Sequence, residues 1–150
     1  MEGKRKIIPP VYLLACMVLM MFLQLVFPVY QLVEPPIAYA GIILVIAGIS
    51  ISAFSANMFR MANTGIEPFS EATTLVTDGF HGYSRNPMYV GMILVLAGTA
   101  FLMGGLGALL PVPVFGLIMR NCFVLAEERF LEAGFGQRYL DYKSQVRRWI

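Results

Sequence analysis

Residues 87–126 read PMYVGMILVLAGTAFLMGGLGALLPVPVFGLIMRNCFVLA, and this stretch decides the fold. Pro87 opens an apolar run that reaches Met103; proline costs nothing there, because the first helical turn has no use for its missing N–H. Gly104-Gly105-Leu106-Gly107 makes a tight turn, and a second apolar run continues from about Ala108 to Ala126, with Pro111 and Pro113 near its start. Two apolar helices joined by so short a turn form a hairpin. Gly91, Gly98 and Gly105 recur every seven residues and fall on one stripe, where a helix can approach a neighbour closely.

Two further apolar runs precede the hairpin. The first, from about Ile7 to Tyr30, follows Glu2-Gly3-Lys4-Arg5-Lys6; at about 1.5 Å per residue it can cross about 30 Å of hydrocarbon. It exceeds the apolar core of a signal peptide and no small-x-small cleavage site follows, so it reads as a retained span. Pro28 and then Glu34-Pro35-Pro36 end it. The second run covers about 37–59, and its Gly41 and Gly48, seven apart, read as a helix contact.

Composition agrees. The chain has 150 residues, 58% hydrophobic and 13% charged, where a soluble domain is about 25% charged. With a mean hydropathy of +0.71 the apolar surface exceeds what a water-soluble core of this size can hold, so lipid is the solvent. The expected fold is an all-α integral membrane protein: one domain with about four transmembrane helices (7–30, 37–59, 87–103 and 108–126), a C-terminal helical hairpin and an interfacial C-terminal helix. A net charge of +2 leaves no footprint for nucleic acid. Cys16 and Cys122 lack metal-ligand or disulfide spacing and read as packing residues.

All 11 Lys and Arg lie before the first span, within 60–86, or from Arg120 onward, whereas the opposite loops carry Glu34 and no basic residue. The positive-inside rule therefore puts both termini and segments 60–86 and 127–150 in the cytosol. Segment 60–86 is long, with Arg60, Glu67, Pro68, Glu71, Asp78, His81 and Arg85 interleaved with Phe69, Leu75, Val76, Phe80 and Tyr83; long loops with apolar content are usually functional. His81 reads as a loop residue rather than a base. The tail's Tyr139, Tyr142 and Trp149 suit the membrane interface.

A hairpin of two roughly 18-residue helices returns the chain to its starting depth, so Arg85, Asn86 and Tyr89 should face Glu127 and Glu128 at the cytosolic surface. Arg120, seven residues before Glu127, should lie two turns deeper on the same face, with Asn121 beside it. A cation there is either functional or snorkels to the interface. Ser/His/Asp spacing, HExxH, a Walker loop and GxGxxG are all absent, and no metal site is expected.

Leu75-Val76-Thr77-Asp78-Gly79, Tyr83-Ser84-Arg85-Asn86-Pro87-Met88-Tyr89-Val90-Gly91, Glu127-Glu128-Arg129-Phe130-Leu131 and Phe135-Gly136-x-x-Tyr139-x-x-Tyr142 with Arg147-Arg148-Trp149 resemble the isoprenylcysteine carboxyl methyltransferase and phospholipid methyltransferase superfamily. The resemblance covers residues 73–150, points to small bacterial-type members, and so implies a bacterial inner membrane. It implies S-adenosylmethionine (SAM) as cofactor in a cytosol-facing pocket lined by Tyr83, Arg85, Asn86, Tyr89, Glu127 and Glu128, with Thr77-Asp78-Gly79 closing one wall. Asn86 stands where many members have His, and Phe80-His81-Gly82 replaces the frequent Pro-aromatic-Arg.

Arg85 and Glu128 are the expected catalytic residues; holding the acceptor in line with the S–CH3 bond supplies much of the acceleration, and for an amine or thiol acceptor Glu128 or Glu127 is the nearest base. Arg120 and Asn121 are expected to bind the polar head of a lipophilic or lipid-modified acceptor: an isoprenylcysteine-like carboxylate, a phospholipid amine or a small thiol. Its tail would then lie among Met92, Leu96, Phe115 and Met119. Two other readings stand beside this one. Sterol reductases resemble the superfamily in their C-terminal hairpin, although 150 residues is short for those enzymes. A transporter or scaffold is the non-enzymatic reading, against which Glu34, Glu127 and Glu128 lie at span ends and only Gln24 is polar within span one.

Overall fold

A computed structural model describes residues 8–28, 30–65 and 73–150. The basic block Lys4-Arg5-Lys6 and the loop residues Glu67, Pro68, Phe69 and Glu71 lie outside the described residues. The protein is an all-helical membrane protein. Helices α1 (Pro9–Val26), α2 (Ala40–Met61, entered through a 3-10 turn at Ile37–Tyr39) and α4 (Leu106–Phe135) are long and apolar enough to cross a bilayer, and α3 (Pro87–Met103) is shorter. A short helix α5 (Gln137–Gln145) follows. Leu14, Val18, Leu25, Ile43, Ile46 and Leu117 stand exposed, as lipid contact requires.

Helix α3 is central. On one side Leu96 and Ala100 pack with Cys16 and Met20 of α1 and with Ala108, Phe115, Met119, Phe123 and Val124 of α4. On the other it meets α2 through backbone: a Cβ on Gly41 would strike the Gly98 carbonyl oxygen, and one on Gly48 the Gly91 carbonyl oxygen. Ser52 Oγ donates to the Met88 carbonyl at 3.1 Å across the same interface. The glycine contact legible in the sequence is therefore real, but the partner of Gly91 and Gly98 is α2 rather than the other leg of the hairpin, whereas Gly105 faces Gln24 of α1.

At the far end the two turns are tied together. Leu32 and Val33 N–H donate to the Gly104 carbonyl, and Leu106 N–H to that of Tyr30. Gly104 has φ +72°, a left-handed helix end that glycine adopts without a Cβ clash.

Four expectations change. Helix α4 does not stop at Ala126 but continues through Glu127 and Glu128 to Phe135, so the two carboxylates stand on a rigid helix. A π-helical turn at Arg120–Val124 interrupts it, and the extra residue in that turn rotates Arg120 off the face that carries Glu127. Cys122 is exposed, not packed. Leu96, Phe115 and Met119 are fully enclosed in the core instead of facing a lipid tail, and Met92 is half-buried.

The tail also differs. Gly136, with φ +53°, turns the chain so that α5 folds back; Tyr139 and Tyr142 are buried against the protein, and Trp149 packs against the helical core. The last residues run beside the entry to α3, with a parallel bridge between Ser84 and Arg147 and a hydrogen bond from Arg85 N–H to the Arg147 carbonyl at 2.9 Å.

Candidate functional site

Three segments converge at the near end of the hairpin: residues 81–89 entering α3, Glu127 and Glu128 on α4, and the returning tail. Asn86 ends the preceding extended chain and Pro87 starts α3, which fixes Arg85 and Asn86 at the helix mouth.

Arg85, only 8% exposed along its side chain, donates from Nη2 to Glu128 Oε1 at 2.9 Å. Its Nη1 donates to the carbonyls of Lys143 (3.0 Å) and Val146 (3.1 Å). Arg148 approaches Glu128 from the other side, Nε to Oε1 and Nη2 to Oε2, both at 2.9 Å. Glu128 is 5% exposed, and both of its oxygens are engaged by guanidinium groups in the fork geometry that arginine alone provides. The hydrogen bond to Glu128 raises the pKa of Arg148, so the clasp stays charged.

One turn into α3, the Tyr89 hydroxyl donates to Glu127 Oε1 at 2.6 Å. Asn86 Nδ2 donates to the Arg148 carbonyl at 3.0 Å and Asn86 N–H to Ser84 Oγ at 3.1 Å, securing the tail to the same mouth. The Tyr142 hydroxyl donates to the His81 carbonyl at 2.6 Å. Burial and the Glu128 charge push the Tyr139 phenol up to about 12, so it remains protonated.

These groups surround a small cavity of about 90 Å³ that opens to the surface. Its wall has a polar part, the charged Arg85, Glu127 and Glu128 with the amide of Asn86, and an apolar part that includes Phe59, Leu75, Val76 and Leu131. His81, Tyr139 and Tyr142 complete it beside Thr74. Arg85 Nε and His81 Nδ1 are buried without a hydrogen-bond partner among the described residues.

The hairpin thus brings Arg85, Asn86, Tyr89, Glu127 and Glu128 together as the sequence expects. Thr77, Asp78, Gly79 and Tyr83 do not line the cavity; Gly79 packs near Phe54, and Tyr83 is 79% exposed. Arg120 and Asn121 are exposed on the π-helical turn, outside the cavity wall. Sequence reasoning missed Arg148, Tyr139, Tyr142 and Phe59 as site residues, and read His81 as an ordinary loop residue. The arginines and tyrosines of the tail motif were visible, but nothing local shows that Gly136 reverses the chain.

Residues 36–138 match the phospholipid methyltransferase family. Over 75 residues the chain is 36% identical to the protein-S-isoprenylcysteine O-methyltransferase of Schizosaccharomyces pombe, a match covering 48% of this chain and 30% of that protein. An uncharacterized protein of Haemophilus influenzae is 36% identical over 63 residues, 42% of this chain and the whole of that one. The fold is similar to that of a eukaryotic intramembrane Ras methyltransferase, isoprenylcysteine carboxyl methyltransferase, with TM-score 0.67 and 22% identity over 91% of this chain and 50% of that chain. The match thus takes in half or less of each of those two methyltransferases.

Proposed function

The chain belongs to the phospholipid methyltransferase family, and on that premise we propose that it transfers a methyl group from SAM to a lipophilic or membrane-delivered acceptor. The observation that carries this reading is the concentration of charge: in a chain only 13% charged, Arg85, Glu127, Glu128 and Arg148 meet beside one cavity where apolar helices end. The residues fit the cofactor. Among the described residues Glu127 has only the Tyr89 hydrogen bond and Arg85 Nε lacks a partner, and the apolar wall suits a purine, whereas SAM offers charged, hydroxyl and aromatic parts to match. When bound, SAM supplies a methyl group on a sulfonium that leaves as a neutral thioether.

In this reading Arg85 and Glu128 are the catalytic pair through positioning. Arg85, Asn86, Glu127 and Glu128 form the charged and polar part of the cofactor wall, with Tyr89 holding Glu127 from behind; Thr74, Leu75, Val76 and His81 take the wall that the family resemblance gives to Thr77, Asp78 and Gly79, and Tyr83 lies outside it. A carboxylate acceptor needs no base. An amine or thiol hands its proton to Glu127, because both Glu128 oxygens are already engaged. Arg120 and Asn121, at the lipid-facing surface, hold the acceptor's polar head. Basic residues on the site's side of the membrane support a cytosol-facing cavity, and the resemblance to small bacterial-type members supports a bacterial inner membrane.

Calorimetry with S-adenosylhomocysteine (SAH) and NADPH separates this proposal from a membrane reductase. Heat of binding with SAH and none with NADPH is expected, and the reverse pattern overturns the methyltransferase reading.

A further inference from the structure

His81 lines the cavity but belongs to neither the charged cluster nor the hairpin. Its imidazole, 3% exposed, sits on a single 3-10 turn (Gly79–Gly82) with its ring edge-on to Phe59 at 5.1 Å between centroids. The backbone is pinned from the other side by the Tyr142 hydroxyl. Nδ1 nevertheless has no hydrogen-bond partner among the described residues. Leaving such an atom buried and unsatisfied disfavours the fold, so it marks a place where a bound molecule completes the hydrogen bonding.

Two roles fit a histidine facing a ligand cavity: a base, or a neutral hydrogen-bonding group. The enclosure decides between them. Burial lowers the imidazole pKa to about 4, so the ring is a poor proton acceptor for an amine or thiol, and little of it meets water to which a proton could pass. A neutral ring with a free lone pair suits a donor presented by a flat ligand group lying along an apolar wall. Phe59, Leu75, Val76 and Leu131 provide that wall, away from the Arg85, Glu128 and Arg148 clasp. Among the parts of SAM, only the adenine is flat and apolar-faced with an amine on its edge.

We infer that His81 Nδ1 accepts a hydrogen bond from the exocyclic amine of the SAM adenine and so selects the adenine base and orients the cofactor in the cavity. This rests on the SAM reading above, which places His81 in the cofactor wall but gives its imidazole no partner.

The protein has a single histidine, so 15N-histidine labelling in detergent micelles reports on this ring alone. Titration with SAH should move the Nδ1 resonance upfield, from the free lone-pair position to a hydrogen-bonded one. The inosine analogue, which carries an oxygen in place of the amine, should leave it unmoved. Wild type should bind SAH about tenfold more tightly than the inosine analogue, the usual scale for one lost hydrogen bond with a buried partner left unpaired. His81→Phe should abolish that preference. His81→Asn, whose amide oxygen stands near the place of Nδ1, should retain it. If SAH binds wild type without moving the Nδ1 resonance, or if the preference persists in His81→Phe, the inference is overturned while the SAM reading stands. If SAH does not bind wild type, the SAM reading fails and takes this inference with it. Should His81→Phe not fold, the wild-type spectra decide the question alone.

Discussion

Arg148, next to last but one in the chain, clasps Glu128 of α4 through two hydrogen bonds of 2.9 Å, twenty residues away in sequence. The tail is thereby part of the site wall, and its removal should be felt there. Arg148→Ala should lower stability by about 1–2 kcal/mol, because its side chain is partly exposed and Arg85 still pairs with Glu128. Arg85→Ala should cost more, about 3 kcal/mol, since it leaves a buried carboxylate half-paired and releases two tail carbonyls. Melting in detergent with and without SAH checks both. Equal losses, or none, would contradict this ranking.

Substitution at the α2 and α3 crossing should act on packing. The Gly98 position abuts the Gly41 carbonyl and Val45, so Gly98→Leu must push two backbones apart and destabilise by about 3 kcal/mol or more. Gly134→Ala, where no neighbouring atom lies within reach of a Cβ, serves as the control. A Gly98→Leu protein that melts with the wild type would show that the helices do not touch there.

Acid should destabilise the fold through His81. Its pKa is lowered to about 4 in the folded protein, from an ordinary 6.5, so the unfolded chain takes up a proton that the folded chain refuses. The associated stability is fully present above about pH 6.5 and is lost as pH falls toward 4, by about 3 kcal/mol in total. Comparing wild type with His81→Phe at pH 7 and pH 4.5 isolates this histidine from carboxylates that titrate in both. Parallel melting curves would remove His81 as the cause.

Arg120→Ala separates acceptor binding from cofactor binding. Under the proposed function it raises the acceptor KM severalfold and leaves SAH affinity unchanged, as its position outside the cavity wall requires. Loss of SAH affinity would instead place Arg120 in the cofactor site, and no effect on either would mean that it merely snorkels.

Orientation is tested by labelling introduced cysteines after replacing Cys16 and Cys122. Tyr83→Cys, at a highly exposed position on the site's side, should react from the cytosol, and Glu34→Cys only from outside. The opposite pattern inverts the topology.

Much of this was legible in the sequence because hydropathy and helix length are local properties. Pro87, the Gly104-Gly105 turn and the spacing to Glu127 suffice to bring Tyr89 and Arg85 to the two carboxylates. The π-helical turn at Arg120–Val124 was not legible, since one extra backbone residue per turn leaves no hydropathy signature, so the simple seven-residue spacing from Arg120 to Glu127 does not carry through it. Nor was the inward burial of Tyr139 and Tyr142: aromatic residues in an exposed amphipathic helix and in a returning one have the same composition, and only the φ of Gly136 and the carbonyl contacts of Arg85 distinguish them.

The shortness of α3 bears on how the protein meets different lipids. At 17 residues it reaches about 26 Å, whereas α4 at 30 residues reaches about 45 Å, so α3 ends where the site begins while α4 carries on past it. The height of the cavity mouth relative to the headgroups is therefore set by α3, which is locked to α2 by backbone contact and has little freedom to tilt alone. In a thick bilayer the lipid must thin around α3 or rise over the Arg85 and Glu128 clasp, so membrane thickness becomes a variable that governs how readily water-borne and lipid-borne molecules reach the same cavity.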